Sequence, residues 1–335
     1  MGYQLTAANM NVLLEQLGKD YQIFAPKVFQ GEGRFADTDL IRYGEVKAIE
    51  EIEFDAKSHY SFKEALTPVS ETLFYYTEEQ TAVPQLTPRG TLIFLRSCDI
   101  HALRRQDEIY LRNGFEDFYY KRQRDRIKLI LIGCDSSFEN CFCVDMGCNQ
   151  TDQYDAAVRF TDGYVYIDCR DEQIEKLTEP LSEKQLPVVP HFVTDNQVHV
   201  NIPSDLDLSV MNSKMWDEYD SRCIACGRCT FVCPTCTCFT MQDIFYKENG
   251  KAGERRRVWS SCHVDGYTDV AGGMSYRKKN GQRMRFKVLH KIYDFNKRYG
   301  YHMCTGCGRC DDICPEYISY SACINKLECA MKEVK

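Results

Sequence analysis

The sequence predicts an α+β protein. An N-terminal mixed α/β domain with a cysteine-rich edge is expected over residues 1–205, and a C-terminal cysteine-repeat domain over 206–335, with a helical insert at about 239–303. Three observations predict this. The pattern CxxCxxCxxxCP occurs twice, from Cys223 to Pro234 and from Cys304 to Pro315. Two apolar runs, TLIFLRS at 91–97 and IKLILIG at 127–133, flank a stretch of helical periodicity and read as a strand–helix–strand unit. Between the cysteine blocks, Met284, Val288, Ile292, Phe295 and Tyr299 share one helical face and Gly300 ends the run.

From the N-terminus, Thr6 is placed to cap a short amphipathic helix in which Met10, Leu13, Leu14 and Leu17 recur at helical spacing and Gly18 stops the run. YQIFAPKVF and EVKAIEEIEF alternate as strands with one wet face. The aromatic stretch 58–76 is expected in the core or at an interface. Residues 91–97 then read as a buried strand, followed by a helix carrying Ile100, Leu103, Tyr110 and Leu111 that Gly114 ends, and by the strand at 127–133. Such a crossover is right-handed and makes neighbouring or near-neighbouring parallel strands. Cys98 and Cys134 directly follow the two strands, so both thiols emerge at the carboxyl edge of the sheet, where open α/β sheets place ligands. The next turn adds Cys141 and Cys143, with Cys148 five residues on. His101 reads as a polar cap or surface residue rather than a ligand. Between 153 and 202, AVRF, YVYIDC and QVHVNI read as strands, with polar turns at Asp162-Gly163 and Asp195-Asn196, and Cys169 reads as structural. The polar stretch from Pro203 reads as a linker or as a helix packing between domains.

The two cysteine blocks carry the chemistry. Their spacing is that of bacterial ferredoxins, in which three closely spaced thiolates hold one cubane [4Fe–4S] cluster and the fourth reaches the other. One cluster is therefore expected on Cys223, Cys226, Cys229 and Cys314, and its partner on Cys304, Cys307, Cys310 and Cys233. Gly227 and Gly308 let backbone amides approach the sulfides, and Pro234 and Pro315 can open a helix where a missing N–H costs nothing. A tetrahedral zinc pair and a CxxxCxxC radical-enzyme site on Cys229, Cys233 and Cys236 are alternatives that explain fewer of the cysteines. The thiols at the sheet edge suggest a third [4Fe–4S] cluster on Cys98, Cys134, Cys141 and Cys143. Cys148 could replace either member of the CFC pair, and plain buried thiols are the competing reading.

About seventy residues separate Cys233 from Cys304, so the insert must return its ends to one place. It is strongly basic, through Arg255 to Arg257, Arg277, Lys278, Lys279, Arg283, Arg285, Lys287, Lys291, Lys297 and Arg298, within an acidic chain. A basic face could dock an acidic electron carrier; a solvated helix face is the plainer reading. Cys236, Cys238 and Cys262 read as buried packing or as neighbours of a cluster, and His263 and His290 fit either role.

At 335 residues and formal net charge −7, the composition is that of a globular chain of two or three domains. No apolar run approaches the ~20 residues of a membrane helix. MGYQLTAANM lacks an export-signal pattern, so a cytoplasmic protein is expected. Nineteen cysteines in a reducing compartment argue for metal rather than disulfides. Nucleic-acid binding is not expected, because no binding motif accompanies the basic insert. There is no GxGxxG to seat a dinucleotide, no GxxxxGK[ST], and no paired nucleophile and base. Catalytic residues are therefore not assigned, and the reading is an electron-transfer subunit. A stand-alone oxidoreductase using the N-terminal cysteine site, or a flavin bound there without a recognisable motif, are the rivals.

RSCDIHALRRQD, CFCVDMG, CPTCTCF, SCHVDGYTDVAGG and the two cysteine blocks together resemble the iron–sulfur alpha subunit of anaerobic sulfite reductase. That family is similar to the beta subunits of cytosolic sulfhydrogenases, and the sulfite reductase branch is the closer match. The resemblance spans most of the chain. It implies a cytoplasmic complex in which a flavin subunit takes electrons from a nicotinamide, this subunit relays them through two or three [4Fe–4S] clusters, and a sirohaem subunit reduces sulfite to sulfide. The sulfhydrogenase-type alternative would relay between a flavin subunit and a hydrogenase.

Overall fold

The computed structural model describes residues 1–335 apart from Ala36 and Asn249. The chain forms two compact units: Met1–Ser136 with Gln150–Val193 and Thr240–Val258, and Ser137–Asn149 with Thr194–Phe239 and Trp259–Lys335.

The first unit contains strands β1 (Gly2–Thr6), β2 (Tyr21–Phe29), β3 (Leu40–Glu45), β4 (Ser70–Tyr76), β5 (Thr81–Ala82), β6 (Gly90–Arg96), β7 (Ile127–Ile132), β8 (Ala156–Thr161), β9 (Tyr164–Cys169) and β10 (Lys184–Gln185). Eight of them form one mixed sheet in the order β10-β1-β9-β8-β7-β6-β2-β3. The centre, β2, β6, β7 and β8, is parallel, and the flanks are antiparallel. Side chains alternate between faces along a strand, and here both faces are covered. Leu92, Phe94, Ile130 and Ile132 meet the helix Ala7–Leu17 through Met10, Leu13, Leu14 and Leu17. Ile93, Leu95, Leu129 and Leu131 meet the helix Ser97–Leu111 through Ile100 and Leu103. Two-sided burial explains why these strands read as continuous apolar runs. Each fully buried Leu or Ile contributes roughly 1.5–3 kcal/mol.

The strand–helix–strand expectation holds: β6 and β7 are direct parallel neighbours, in register from Thr91↔Ile127 to Arg96↔Ile132. Thr6 caps the first helix, its Oγ1 accepting from the Asn9 amide at 3.1 Å. Two expected strands do not form. In EVKAIEEIEF the chain makes a single 3-10 turn at Ile49–Glu51, which puts Ile49 and Ile52, three residues apart, into the same core. In QVHVNI the backbone donors go to side chains instead of a sheet: the Val200 amide to Asp145 Oδ2 at 2.8 Å, and the Asn201 amide to Asn325 Oδ1 at 2.8 Å. The Asp195-Asn196 pair is likewise no hairpin turn, since Asn196 is buried and its Oδ1 accepts from the Val144 amide at 2.8 Å.

The insert begins as a hairpin, β11 (Phe239–Phe245) and β12 (Gly253–Trp259), that joins β4 and β5 in a second sheet in the order β11-β12-β4-β5. This pairing, from Gly253↔Tyr76 to Val258↔Ser70, carries 240–258 into the first unit, a placement the helical stripe farther along did not foretell. The arginines there are internal ties. Arg257 is buried and pairs with Glu71 Oε2 at 2.9 Å and Asp117 Oδ2 at 2.7 Å. Arg255 grips Asp243 through two bonds of 2.7 and 2.8 Å, and Arg256 pairs with Glu254.

The second unit holds both cysteine blocks, the segment 137–149 and the helical part of the insert. That helix runs Asn280–Leu289, makes a five-residue π-helical turn at His290–Asp294, and finishes at Phe295–Tyr299, capped by Gly300 in the left-handed conformation. Met284, Val288, Ile292 and Phe295 are buried, as their spacing predicts. The Met303 amide donates to Lys291 O at 2.8 Å, tying the arriving chain to this helix just before Cys304. The stretch after Pro203 forms the short turns Leu208–Asn212 and Lys214–Trp216 and one helical turn, Glu218–Arg222.

Removing one partner of a buried ion pair leaves the others uncompensated, so Arg257→Met is expected to lower stability by about 3 kcal/mol. A fall in the denaturation midpoint of the whole chain reads this, and an unchanged midpoint would refute it. A second expectation concerns acid. Burial pushes the Asp171 carboxyl up, but hydrogen bonds from Lys128 and from the Ile174 and Gln173 amides outweigh it and hold it below its ordinary 3.8. A depressed carboxyl contributes stability that is present above its unfolded pKa and lost as pH falls through the folded one. The melting temperature should therefore hold from neutral pH to about 5 and drop below about 4, and Asp171→Asn should flatten part of that drop.

Candidate functional site

The two cysteine blocks fold alike. In each, a left-handed glycine, Gly227 or Gly308, opens a one-turn helix, Arg228–Phe231 or Arg309–Asp312. Two residues earlier, Ala225 and Gly306 occupy matching positions with φ of 55° and 68°. Their amides lie 3.4 Å from Cys223 Sγ and Cys304 Sγ. At Ala225 this left-handed backbone costs roughly 1 kcal/mol or more, a penalty that Gly306 does not carry.

Each block helps to enclose a cavity. The first, of about 460 Å³ including space open to solvent, is lined by Cys223, Cys226, Cys229 and Cys314 together with His263, Met284, Lys287 and Tyr320. The second, of about 350 Å³ on the same measure, is lined by Cys233, Cys304, Cys307 and Cys310 with Phe142, Thr235, Lys287, Lys291 and Tyr320. Three cysteines of one block and the last cysteine of the other thus border each cavity, and Cys310 also borders the first. Among the described residues, no group of three or more His, Cys, Asp or Glu is placed to hold a single metal ion. The thiols of each group stand around a space rather than about one point.

Polar groups in the walls suit a polynuclear sulfide cluster. His263 is fully buried, and both of its ring nitrogens lack a hydrogen-bond partner. Burial, with Lys287 and Arg283 nearby, takes its pKa down to about 3, so the imidazole is neutral and has a donor to offer. Burial works against a charge on Lys287, but Cys229, Cys310, Cys233 and Asp311 outweigh it and hold the ammonium above its usual range. Lys291 is held up in the same sense by Cys233, Cys236 and Cys304 against its burial, and donates to Thr235 Oγ1 at 2.7 Å. Burial pushes the Cys233 thiol up, and Lys291 with Thr235 more than reverses it, leaving this thiol below its usual range.

Sequence reading did not place these lysines. In sequence they belong to a basic insert that reads as a docking or solvated face, yet both are buried. The signal was present, since positions 287 and 291 fall three and seven residues after Met284, on the core-facing stripe.

The N-terminal thiols divide between the units. Cys98 is the second residue of the helix after β6, and Cys134 lies two residues beyond β7 with its Sγ 3.4 Å from Arg96 Nη1. Both are half-buried and belong to the first unit. Cys141, Cys143 and Cys148 are buried in the second. There Cys141 Sγ lies 3.5 Å from Cys307 O, Cys143 Sγ 3.8 Å from Asn196 Nδ2, and Cys148 Sγ 3.2 Å from Met146 O. The Phe142 amide donates to Gly306 O at 2.8 Å, so the CFC segment pairs with the second cysteine block. Cys169 sits in the sheet core, and His101 bonds the Gln150 carbonyl at 2.9 Å, both in keeping with non-ligand roles. Cys236, Cys238 and Cys262 gather beside the Tyr267 hydroxyl.

The fold and paired cysteine cavities define an iron–sulfur protein of the electron-transfer class. Residues 222–318 match a family model described as "4Fe-4S dicluster domain". Over 300 residues the chain is 28% identical to sulfhydrogenase 2 subunit beta of Pyrococcus furiosus, covering 83% of this chain and 86% of that relative. No solved structure matches it. Among the described residues, no helix is long and apolar enough to cross a membrane.

A Cβ on Gly306 would lie 2.5 Å from the Phe142 carbonyl, and one on Gly308 would lie 2.3 Å from the Asn140 carbonyl. Both glycines also have positive φ. Gly306→Ala is therefore expected to pry the CFC segment from the second cavity and lower bound iron by about four atoms per chain, on cubane arithmetic. Iron assay on anaerobically purified variant checks this; iron equal to wild type would refute it.

Proposed function

We propose that this chain is the electron-relay subunit of a multi-subunit oxidoreductase. The observation that carries the reading is the shared wall between the two cavities, where Lys287, Cys310 and Tyr320 border both. Centres bound there would be neighbours, as a relay needs. In this reading Cys223, Cys226, Cys229 and Cys314 hold one [4Fe–4S] cluster, and Cys304, Cys307, Cys310 and Cys233 hold the other. Such a group accepts and releases one electron at a time, at a potential set by charge, hydrogen bonds and burial. The chain supplies the thiolates, the amides of Ala225 and Gly306 near the sulfurs, and a largely apolar enclosure. The third cluster, on Cys98, Cys134, Cys141 and Cys143 with Cys148 as an alternate, rests on the sequence reading.

The partners follow from the resemblance described above: a flavin subunit oxidising NAD(P)H on one side and a sirohaem subunit reducing sulfite on the other, in the cytoplasm. A second reading is favoured by the Pyrococcus furiosus relative, whose name is that of a sulfhydrogenase beta subunit. In that case the chain would serve a hydrogenase. Purifying the chain with its native partners under anaerobic conditions separates the two. Sulfite-dependent oxidation of NADH supports the first reading, hydrogen-dependent reduction of a nicotinamide supports the second, and neither activity would sink both.

Iron and acid-labile sulfide count the clusters. About twelve irons per chain supports three cubanes and about eight supports two. Cys307→Ser is expected to remove one reduced-state paramagnetic signal and spare the other, and unchanged iron content in that variant would overturn the ligand assignment.

A further inference from the structure

We propose that Lys287 is a counter-charge shared by the two clusters, raising the reduction potential of both, while Lys291 acts on the second cluster alone. This rests on the relay reading above and goes beyond it, because it assigns the control of potential to two side chains that ligate nothing.

Lys287 is 3% exposed, the least favourable setting for an ammonium unless something nearby is negative. Its side chain borders both cavities, whereas Lys291 borders the second only. Of the thiols around Lys287, Cys229 borders the first cavity, Cys233 the second and Cys310 both, with Asp311 next to Cys310 in the chain. Asp311 is itself engaged, accepting from the Tyr320 amide at 2.8 Å and the Ser319 hydroxyl at 3.0 Å. The Tyr320 ring, 4.6 Å from Lys287 Nζ, supports the ammonium by its face and borders both cavities as well. Arg283, a third buried cation of this helix beside Lys287 and Lys291, is occupied by Asp265 and by Asn280 Oδ1 at 3.2 Å.

Reduction adds one electron to a cluster, with no bond made or broken and no proton required. The reduced cluster carries one more negative charge than the oxidised one, so a fixed cation in a dry wall stabilises the reduced form more. A cation between two clusters does this for both. It also offsets part of the repulsion that the first electron exerts on the second.

The test uses the full chain with its clusters in place, titrated with dithionite and followed by electron paramagnetic resonance, with Cys307→Ser identifying the second cluster's signal. Lys287→Gln is expected to shift both midpoint potentials downward at unchanged iron content, Lys291→Gln to shift only the second, and Lys287→Arg to leave both near wild type. Potentials unmoved in Lys287→Gln, or moved for one cluster only, would overturn the proposal. Iron lost equally from Lys287→Gln and Lys287→Arg would also overturn it, since the side chain would then serve packing. Iron lost from the glutamine variant alone, with both potentials kept in the arginine variant, would support it. Wild-type protein with far fewer than about eight irons would instead count against the relay reading itself.

Discussion

Exchange of the last cysteine between the two blocks is the constraint on which the second unit depends. Cys314 borders the cavity of the first block and Cys233 that of the second. Neither cavity can be completed until both blocks are present and about seventy intervening residues have returned to their starting point. Closing so long a loop has an entropic cost that grows only slowly with its length, so a large insert is tolerated if its ends are held. The departing end is held by the Ser260 amide on Cys238 O at 3.0 Å, and the arriving end by the Met303 amide on Lys291 O.

The insert contributes more than a connection. Its helix lays Met284, Val288 and Ile292 into the core, and on the same face it carries the two lysines into the cavity walls. The π-helical turn begins at His290, immediately before Lys291, and such turns recur at functional sites. Part of the basic character that reads in the sequence as an outward face is spent within the fold, since Arg257, Arg283, Lys287 and Lys291 are buried while Arg255 stays exposed. Arg255, Arg256 and Arg257 are consumed in ion pairs within the first unit, and Lys287 and Lys291 face thiols in the second.

The segment between Ser137 and Asn149 shows how backbone shape decides what a cysteine can do. Asn140 has φ of 61°, and the following residues run against Gly306 and Gly308, where no side chain stands in the way. This brings Cys141 and Cys143 into the unit of the second block, while Cys98 and Cys134 remain with the strands they follow.

Much was legible from sequence because it is written in local terms. The cysteine blocks, the capped helix after Thr6 and the amphipathic helix of the insert depend on the spacing of near neighbours, and the parallel pair β6 and β7 on two apolar runs joined by one helix. What failed was EVKAIEEIEF and QVHVNI, where alternation suggested strands but a 3-10 turn sends Ile49 and Ile52 into one core and the side chains of Asp145 and Asn325 take the backbone donors. The sequence by itself determined the thiol donors and the elements that present them, because ligand chemistry and hydrophobic period are properties of neighbouring residues. Only the tertiary structure decided that Lys287 and Lys291 face the thiols that the spacing already groups. It also decided that the insert opens as a hairpin in the first unit, because those are meetings of residues far apart in the chain.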